Sequence, residues 1–213
     1  MAAYAACSAG DLILLAESHA ETISVAQTLN TANVATIAIG IGSAKARFTS
    51  AVAGAMITPN VAGLRFYNIY FPASTAATTA RLSVAAGGTD CLIRDCDFES
   101  GASDNAGAAI TVAGARAFVR GCTFTATANR PNRAILVSGA VASCTFEDVL
   151  IDGSSYGWVS PAFGITAAAT LLNLENVRLA NRSDLVVTST GTSYRGFGVR
   201  AIDNTGCRVV IAA

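Results

Sequence analysis

One short phrase returns five times along this chain, and its spacing limits the possible folds more than any other feature. The phrase reads Asn68-Ile69-Tyr70-Phe71, Asp95-Cys96-Asp97-Phe98, Gly121-Cys122-Thr123-Phe124, Asp148-Val149-Leu150-Ile151 and Asn176-Val177-Arg178-Leu179. Counted from Ile69, the steps are 27, 26, 27 and 28 residues. Each phrase opens on Asn, Asp or Gly, the types that accept left-handed backbone at a turn. Apolar residues then alternate, which is the period of a strand. Self-similarity at a fixed period of this length marks a stacked repeat.

The register extends backwards from each phrase. Five and three positions before the first apolar residue stand Leu64 and Phe66, Cys91 and Ile93, Ala117 and Val119, Cys144 and Phe146, Leu172 and Leu174. Twelve positions before it stand Ile57, Val84, Ile110, Val137 and Ile165, and two further back Ala55, Leu82, Ala108, Ile135 and Phe163. All 30 of these positions are apolar or Cys, in a chain that is 52% hydrophobic overall. Each period therefore holds three short strands. Strands that stack in register at this period cannot be hairpins, so the chain is predicted to be all-β: a right-handed parallel β-helix, a pectate-lyase-like solenoid with three strands and 26–28 residues per coil. At about 4.8 Å per strand, six or seven coils make a rod roughly 30 Å long. A single domain is expected over residues 1–213, with opening strands and a cap over 1–33, regular coils over 34–180, and a loop insertion with a closing coil over 181–213. Ile37 and Ile39 are expected to occupy the inward second-strand columns of the coil before Leu64.

Composition excludes several function classes. Fourteen basic and 14 acidic residues leave no net field for nucleic acid or an anionic membrane. No apolar stretch approaches the roughly 20 residues of a spanning helix. Thirteen of the 14 basic residues are Arg, a type enriched at interfaces, and Lys45 is the sole lysine. Met1-Ala2-Ala3-Tyr4 lacks the basic start and apolar stretch of a secretory signal. The six cysteines form no CxxC or Cys/His cluster, and reduced, buried thiols are expected, including the neighbours Cys96 and Cys122.

The same columns bear on chemistry. Cleavage of a glycoside needs paired carboxyl groups about 5–9.5 Å apart. The outward first-strand residues are Met56 and Thr58, Ser83 and Ala85, Ala109 and Thr111, Leu136 and Ser138, Gly164 and Thr166, and none titrates near neutral pH. Glu99, Asp104, Asp152 and Asp184 fall in long loops; Asp95 and Asp148 are bend residues; Arg120 stacks over Glu147 as an exposed pair; and His19 has no nucleophile motif beside it. No catalytic, cofactor-binding or metal-binding residue is therefore expected, and the chain reads as a non-enzyme. Apolar side chains on the outside point instead to partners. Leu92 and Phe118 neighbour each other outside the second strand, while Tyr70 and Leu150 lie outside the third. The long loops add Arg130, Arg133, Tyr156 and Trp158, types that anchor interfaces, with core packing an equal reading for Trp158.

The opening Gly10-Asp11-Leu12-Ile13-Leu14-Leu15-Ala16-Glu17-Ser18-His19-Ala20-Glu21-Thr22-Ile23 resembles the "GDTIxVxxGHxETI" start of right-handed β-helix proteins of tailed bacteriophages. It departs from that pattern at Ser18, where the family has Gly. Ile39-Gly40-Ile41-Gly42 and the Cys-x-Phe phrases fit the same family. The resemblance implies a virion protein assembled in the host cytoplasm: a homotrimeric capsid decoration (cement) protein on the capsid surface, clamping the major capsid protein. A tail-spike or fibre receptor-binding module is the alternative, and a polysaccharide lyase or hydrolase the third reading.

Overall fold

The computed structural model describes residues 2–104, 107–128, 131–189, 191–202 and 206–211. Short runs of alternating β-branched and aromatic residues form strands that pair only in parallel, each with the equivalent strand one coil away. The first sheet stacks Gln27–Leu29, Ala55–Pro59, Ala80–Val84, Ala108–Val112, Arg133–Val137, Phe163–Ile165, Leu185–Val187 and Val209–Ile211. The second stacks Leu12–Leu15, Ala35–Ala38, Arg65–Tyr67, Leu92–Arg94, Phe118–Arg120 and Thr145–Glu147. The third stacks Ala20–Ile23, Arg47–Ser50, Tyr70–Phe71, Asp97–Ser100, Thr123–Ala126 and Leu150–Asp152. Leu172–Ala180 continues as one strand across the bend at Asn176 and joins the second sheet to the third. The molecule is thus a right-handed parallel β-helix of about seven turns.

One continuous hydrophobic shaft fills the coils. Ile69, Cys96, Cys122, Val149 and Val177 all point into it and are fully buried. Above the third sheet, Phe71, Phe98 and Phe124 stack with centroids 4.7 and 4.9 Å apart and rings within 7° of parallel. That separation equals the spacing of paired strands. In-register phenylalanines on parallel strands therefore meet face to face, adding to their burial.

The bends between second and third sheets are left-handed, as their residue types require: Asn68, Asp95, Gly121, Asp148 and Asn176 have φ of 58, 55, 62, 53 and 51°. Each of the first four donates its backbone N–H to a carbonyl of the following coil, from Asn68 N to Arg94 O at 2.9 Å through Asp148 N to Glu175 O at 3.0 Å. At Gly121 an added Cβ would meet Asp95 Oδ1 at 2.4 Å, so a larger residue there would displace the Asp95 side chain. A second left-handed ladder precedes the second sheet: Asn33, Gly63, Asp90, Arg116, Ser143 and Leu171. Its mixed residue types concealed it in the sequence. Bidentate pairing of Arg116 Nε and Nη2 with the Asp90 carboxylate, at 2.6 and 2.7 Å, ties two of its rungs together.

Two register expectations are corrected. Ala35 pairs with Arg65, thirty positions on, and Thr36 with Phe66, so the inward residues of that coil are Val34, Thr36 and Ala38. Ile37 and Ile39 face outward, Ile39 being 63% exposed. The bend of this coil is a longer segment carrying a 3-10 turn at Gly42–Ala44, after which Arg47 pairs with Tyr70 only twenty-three positions on. A slip of odd length reverses every side chain's face. In the first sheet the columns run Ile57–Leu82–Ile110–Ile135–Phe163 and Val84–Val112–Val137–Ile165. A constant offset of twelve misplaces Ile57 and Ile110 by two residues, because the turn leading to the second sheet varies in length by two. Inward parity survives that step.

The short helix Ala2–Ala5 closes the amino-terminal end, where Tyr4 Oη donates to Thr31 O at 2.9 Å. Burial pushes the Tyr4 phenol up to about 12. Among the described residues no helix is long and apolar enough to cross a membrane.

Candidate functional site

The outer face of the third sheet carries the titratable cluster. Inward Phe48, Phe71, Phe98 and Phe124 fix these strands to the shaft, so their neighbours in sequence must face solvent. One outward column runs Arg47, Tyr70, Asp97 and Thr123 on adjacent strands. Beside it runs a second: Glu99, Thr125 and Asp152. All of these except Asp152, together with Gly42 and Ser43, line an open groove of about 410 Å3.

The segment that broke the 27-residue period builds the groove's rim. Gly40 lets it fold back, since an added Cβ there would lie 1.9 Å from Ala44 O. Asn68 Nδ2 holds its start by donating to Ala38 O at 2.9 Å and Gly40 O at 2.6 Å. Lys45 at its end reaches across two coils, donating to Asp97 Oδ2 at 2.8 Å and to Asp95 O at 2.9 Å. The chain's one lysine thus neutralises one of the two groove carboxylates and leaves Glu99 to Tyr70. Burial, then a hydrogen bond to the Glu99 carboxylate and its charge, raise the Tyr70 phenol well above its ordinary value, with Arg47 opposing. Tyr70 is therefore a protonated acid across the neutral range.

Behind the groove lies a buried ion pair. Arg81 and Asp104 are 1% and 3% exposed. Arg81 Nη2 donates to Asp104 Oδ2 at 2.5 Å and also to the carbonyl of Glu99. The Asp104 carboxylate further accepts from Gly101 N at 2.7 Å, from Ser74 N at 3.3 Å and from the Ser74 hydroxyl. Desolvation lowers the Arg81 pKa, and Asp104 counteracts it. The pair clasps the loops after Tyr70–Phe71 and Asp97–Ser100 against the first sheet and so positions the backbone of Glu99. Arg81 belongs to the same outward row as Met56, Ala109, Ala134 and Ala162, all of them buried.

Of the four acids read as loop residues, only Glu99 reaches the groove. Asp104 is structural. Asp152 Oδ1 caps a turn, accepting from Ser154 N at 2.7 Å and from Asn181 Nδ2 at 2.8 Å. Asp184 pairs with Arg208 at 2.8 Å. Arg120 meets Glu147 at 3.3 Å, as stacking required. His19 lies one strand below Arg47, whose N–H donates to its carbonyl at 2.8 Å; its ring is 3.7 Å from Glu21, edge-on to Phe48, and lines an apolar cavity of about 350 Å3 under the amino-terminal helix. All six cysteines are unbridged, and burial pushes the Cys91 thiol up to about 12. Among the described residues no three His, Cys, Asp or Glu side chains are grouped to hold a metal.

The residues expected to bind partners do not form one surface. Leu92 and Phe118 are register neighbours, half-buried on the outside of the second sheet. Arg133 is half-buried at the start of a first-sheet strand, and desolvation lowers its pKa. Tyr156 is exposed on the turn after the third sheet. Trp158 is corrected to a core residue: it is 4% exposed and its Nε1 donates to Ser183 Oγ at 3.1 Å, so no partner can reach it. Arg130 lies outside the described residues.

No family model matches the sequence, and no curated protein matches it. Among solved structures, the fold matches an alginate lyase from Paenibacillus sp. str. FPU-7, with a TM-score of 0.52 and 11% identity over 99% of this chain and 95% of that one. The likeness establishes the coil architecture. The expectation of a non-enzymatic capsid decoration protein is corrected on this finding, since the matched structure is an enzyme. The carboxylates that the outside of the first strand lacks lie outside the third, where Tyr70, Asp97, Glu99, Arg47 and Lys45 converge.

Proposed function

We propose that the chain is a polysaccharide lyase acting on uronate polymers of the alginate type, with its active groove on the outer face of the third sheet. The observation that carries this reading is the Tyr70–Glu99 pair beside Arg47 in an open groove. β-Elimination at a uronate needs three things: a cation on the C6 carboxylate to acidify the C5 proton, a base to take that proton, and an acid to protonate the departing O4. Arg47 supplies the cation and is suited to bidentate carboxylate pairing. Glu99 takes the C5 proton while Tyr70, held protonated, gives its own to O4. The proton then passes from Glu99 to Tyr70 along their hydrogen bond, which restores both groups. The products are a 4,5-unsaturated uronate end and a free hydroxyl end.

Hydrolysis is the competing chemistry, because Asp97 and Glu99 are two residues apart on one strand, about 7 Å, a separation compatible with inversion. The Lys45 ion pair with Asp97 at 2.8 Å counts against it, since it occupies a carboxylate oxygen that would have to take a proton from the attacking water. The test is incubation with alginate, polygalacturonate and neutral glucans. Absorbance of the unsaturated product near the ultraviolet edge should rise with polyuronates only, and Tyr70→Phe and Glu99→Gln should each abolish it. Release of reducing ends without that absorbance would identify a hydrolase, and no depolymerisation of any polyuronate would defeat the proposal.

A further inference from the structure

The outward column that begins at Arg47 continues beyond the groove. After Thr123 it passes through Leu150 to Arg178 and then Arg200, in unbroken register. Val177 and Leu179 point into the shaft, so Arg178 between them faces outward with Arg200 directly over it. Like charges on directly opposed strand positions repel. Arg94 and Arg120 are likewise opposed in register, but each of them meets a carboxylate, Asp95 and Glu147, as Arg116 meets Asp90. Among the described residues neither Arg178 nor Arg200 has an acidic partner, and Arg178 Nε is buried with no hydrogen-bond partner.

We infer that Arg178 and Arg200 form a carboxylate-binding subsite that grips a uronate of the same polymer several sugars away from the cleavage point. This rests on the lyase reading of the groove. Arg178 lies four strand spacings from Tyr70, about 19 Å along the rod. The floor between them is Asp97, Thr123 and Leu150, flanked by Thr125, so a chain in transit meets hydroxyls and one apolar side chain after leaving the acidic pair. Cations stand at both ends of this track, Arg47 at one and the arginine pair at the other. An extended polymer with a carboxylate on every sugar is the ligand that satisfies both ends at once. A carboxylate between two guanidiniums also removes the repulsion that their register imposes, and guanidinium is the side chain that bonds a carboxylate bidentately.

The test compares Arg178→Ala, Arg200→Ala and the double variant with wild type on oligouronates from trimer to octamer. Both side chains face outward, and unchanged melting curves show that the variants are folded. In the wild type, kcat/KM rises as chains become long enough to reach the pair. In the double variant that rise is lost, so kcat/KM on octamer falls roughly tenfold or more through KM, as expected for a charged hydrogen bond, while trimers are cleaved as before. An equal fall at every length, or no fall at any, overturns the subsite. Calorimetric binding of octamer keeps the two proposals separable. If wild type cleaves no polyuronate yet binds octamer, and the double variant binds it at least tenfold more weakly, the subsite stands and the lyase reading falls. Octamer binding that is absent, or identical in both proteins, sinks the subsite.

Discussion

Replacing Phe98 tests how the shaft supports the groove. Its ring is 1% exposed and lies between Phe71 and Phe124 at 4.7 and 4.9 Å. Truncating a buried Phe to Ala costs about 3–5 kcal/mol, and each stacked contact adds about 0.5–1.5 kcal/mol. Phe98→Ala should therefore cost about 5 kcal/mol, enough to threaten a domain of ordinary stability. Phe98→Leu, at about 2 kcal/mol, is the measurable variant. Urea unfolding of Phe71→Leu, Phe98→Leu and the double variant should give a coupling of about 0.5–1.5 kcal/mol. The pair Phe98→Leu with Phe146→Leu, which make no ring contact with each other, should add within about 0.5 kcal/mol. Function should follow the same geometry. Asp97 and Glu99 flank Phe98 on the strand, so Phe98→Leu should lower kcat on polyuronates while Phe163→Leu, in the first sheet, leaves kcat unchanged at comparable loss of stability. Zero coupling between Phe71 and Phe98, or equal effects of Phe98→Leu and Phe163→Leu on kcat, would refute the reasoning.

Asp104→Ala strands the Arg81 charge in the interior and should cost about 3–5 kcal/mol in urea unfolding, whereas Arg81→Met with Asp104→Leu should recover most of that loss; a loss of less than 1 kcal/mol for Asp104→Ala alone would mean that the pair is not closed in solution. Stability should also decline in alkali. Below pH 9 neither Cys91 nor Tyr4 contributes, because both are protonated in folded and unfolded chains. Above the ordinary thiol value of 9.0 the unfolded chain releases the Cys91 proton while the folded chain keeps it up to about 12, so this thiol by itself lowers stability by about 1.4 kcal/mol per pH unit. Tyr4, raised from 10.0 to about 12, adds the same slope from pH 10. Urea midpoints measured from pH 8 to 11 should show this decline, and Cys91→Val should make it shallower from pH 9, since Cys122 and Cys144, also raised by desolvation, still act in the same direction; a flat profile in the wild type would contradict it.

The coil was legible in the sequence because its cause is local and repeated. A residue that must turn left-handed, then a strand of alternating apolar positions, recurs at Asn68, Asp95, Gly121, Asp148 and Asn176, and repetition turned a weak signal into a register. The stacking of Ile69, Cys96, Cys122, Val149 and Val177 follows from that register alone. The second bend ladder was hidden because hydrogen bonding and the Arg116–Asp90 pair, rather than residue type, hold its left-handed residues. The groove was illegible for a related reason. Tyr70, Asp97 and Glu99 were visible as outward or loop residues, but their meeting with Lys45 and Arg47 depends on how far the irregular segment after Ala38 projects, and no period reports that.

What the amino-acid order determined by itself was parity and repetition: which side chains enter the shaft, which leave it, and that equivalent strands lie one above another. Only the tertiary structure decided which outward residues of different coils become neighbours. Loop length shifts the rungs by whole residues, and a side chain such as Lys45 reaches across strands that lie about fifty residues apart in sequence. Chemistry on a solenoid arises from that lateral adjacency, so here the fold could be read along the chain while the site could be read only across it.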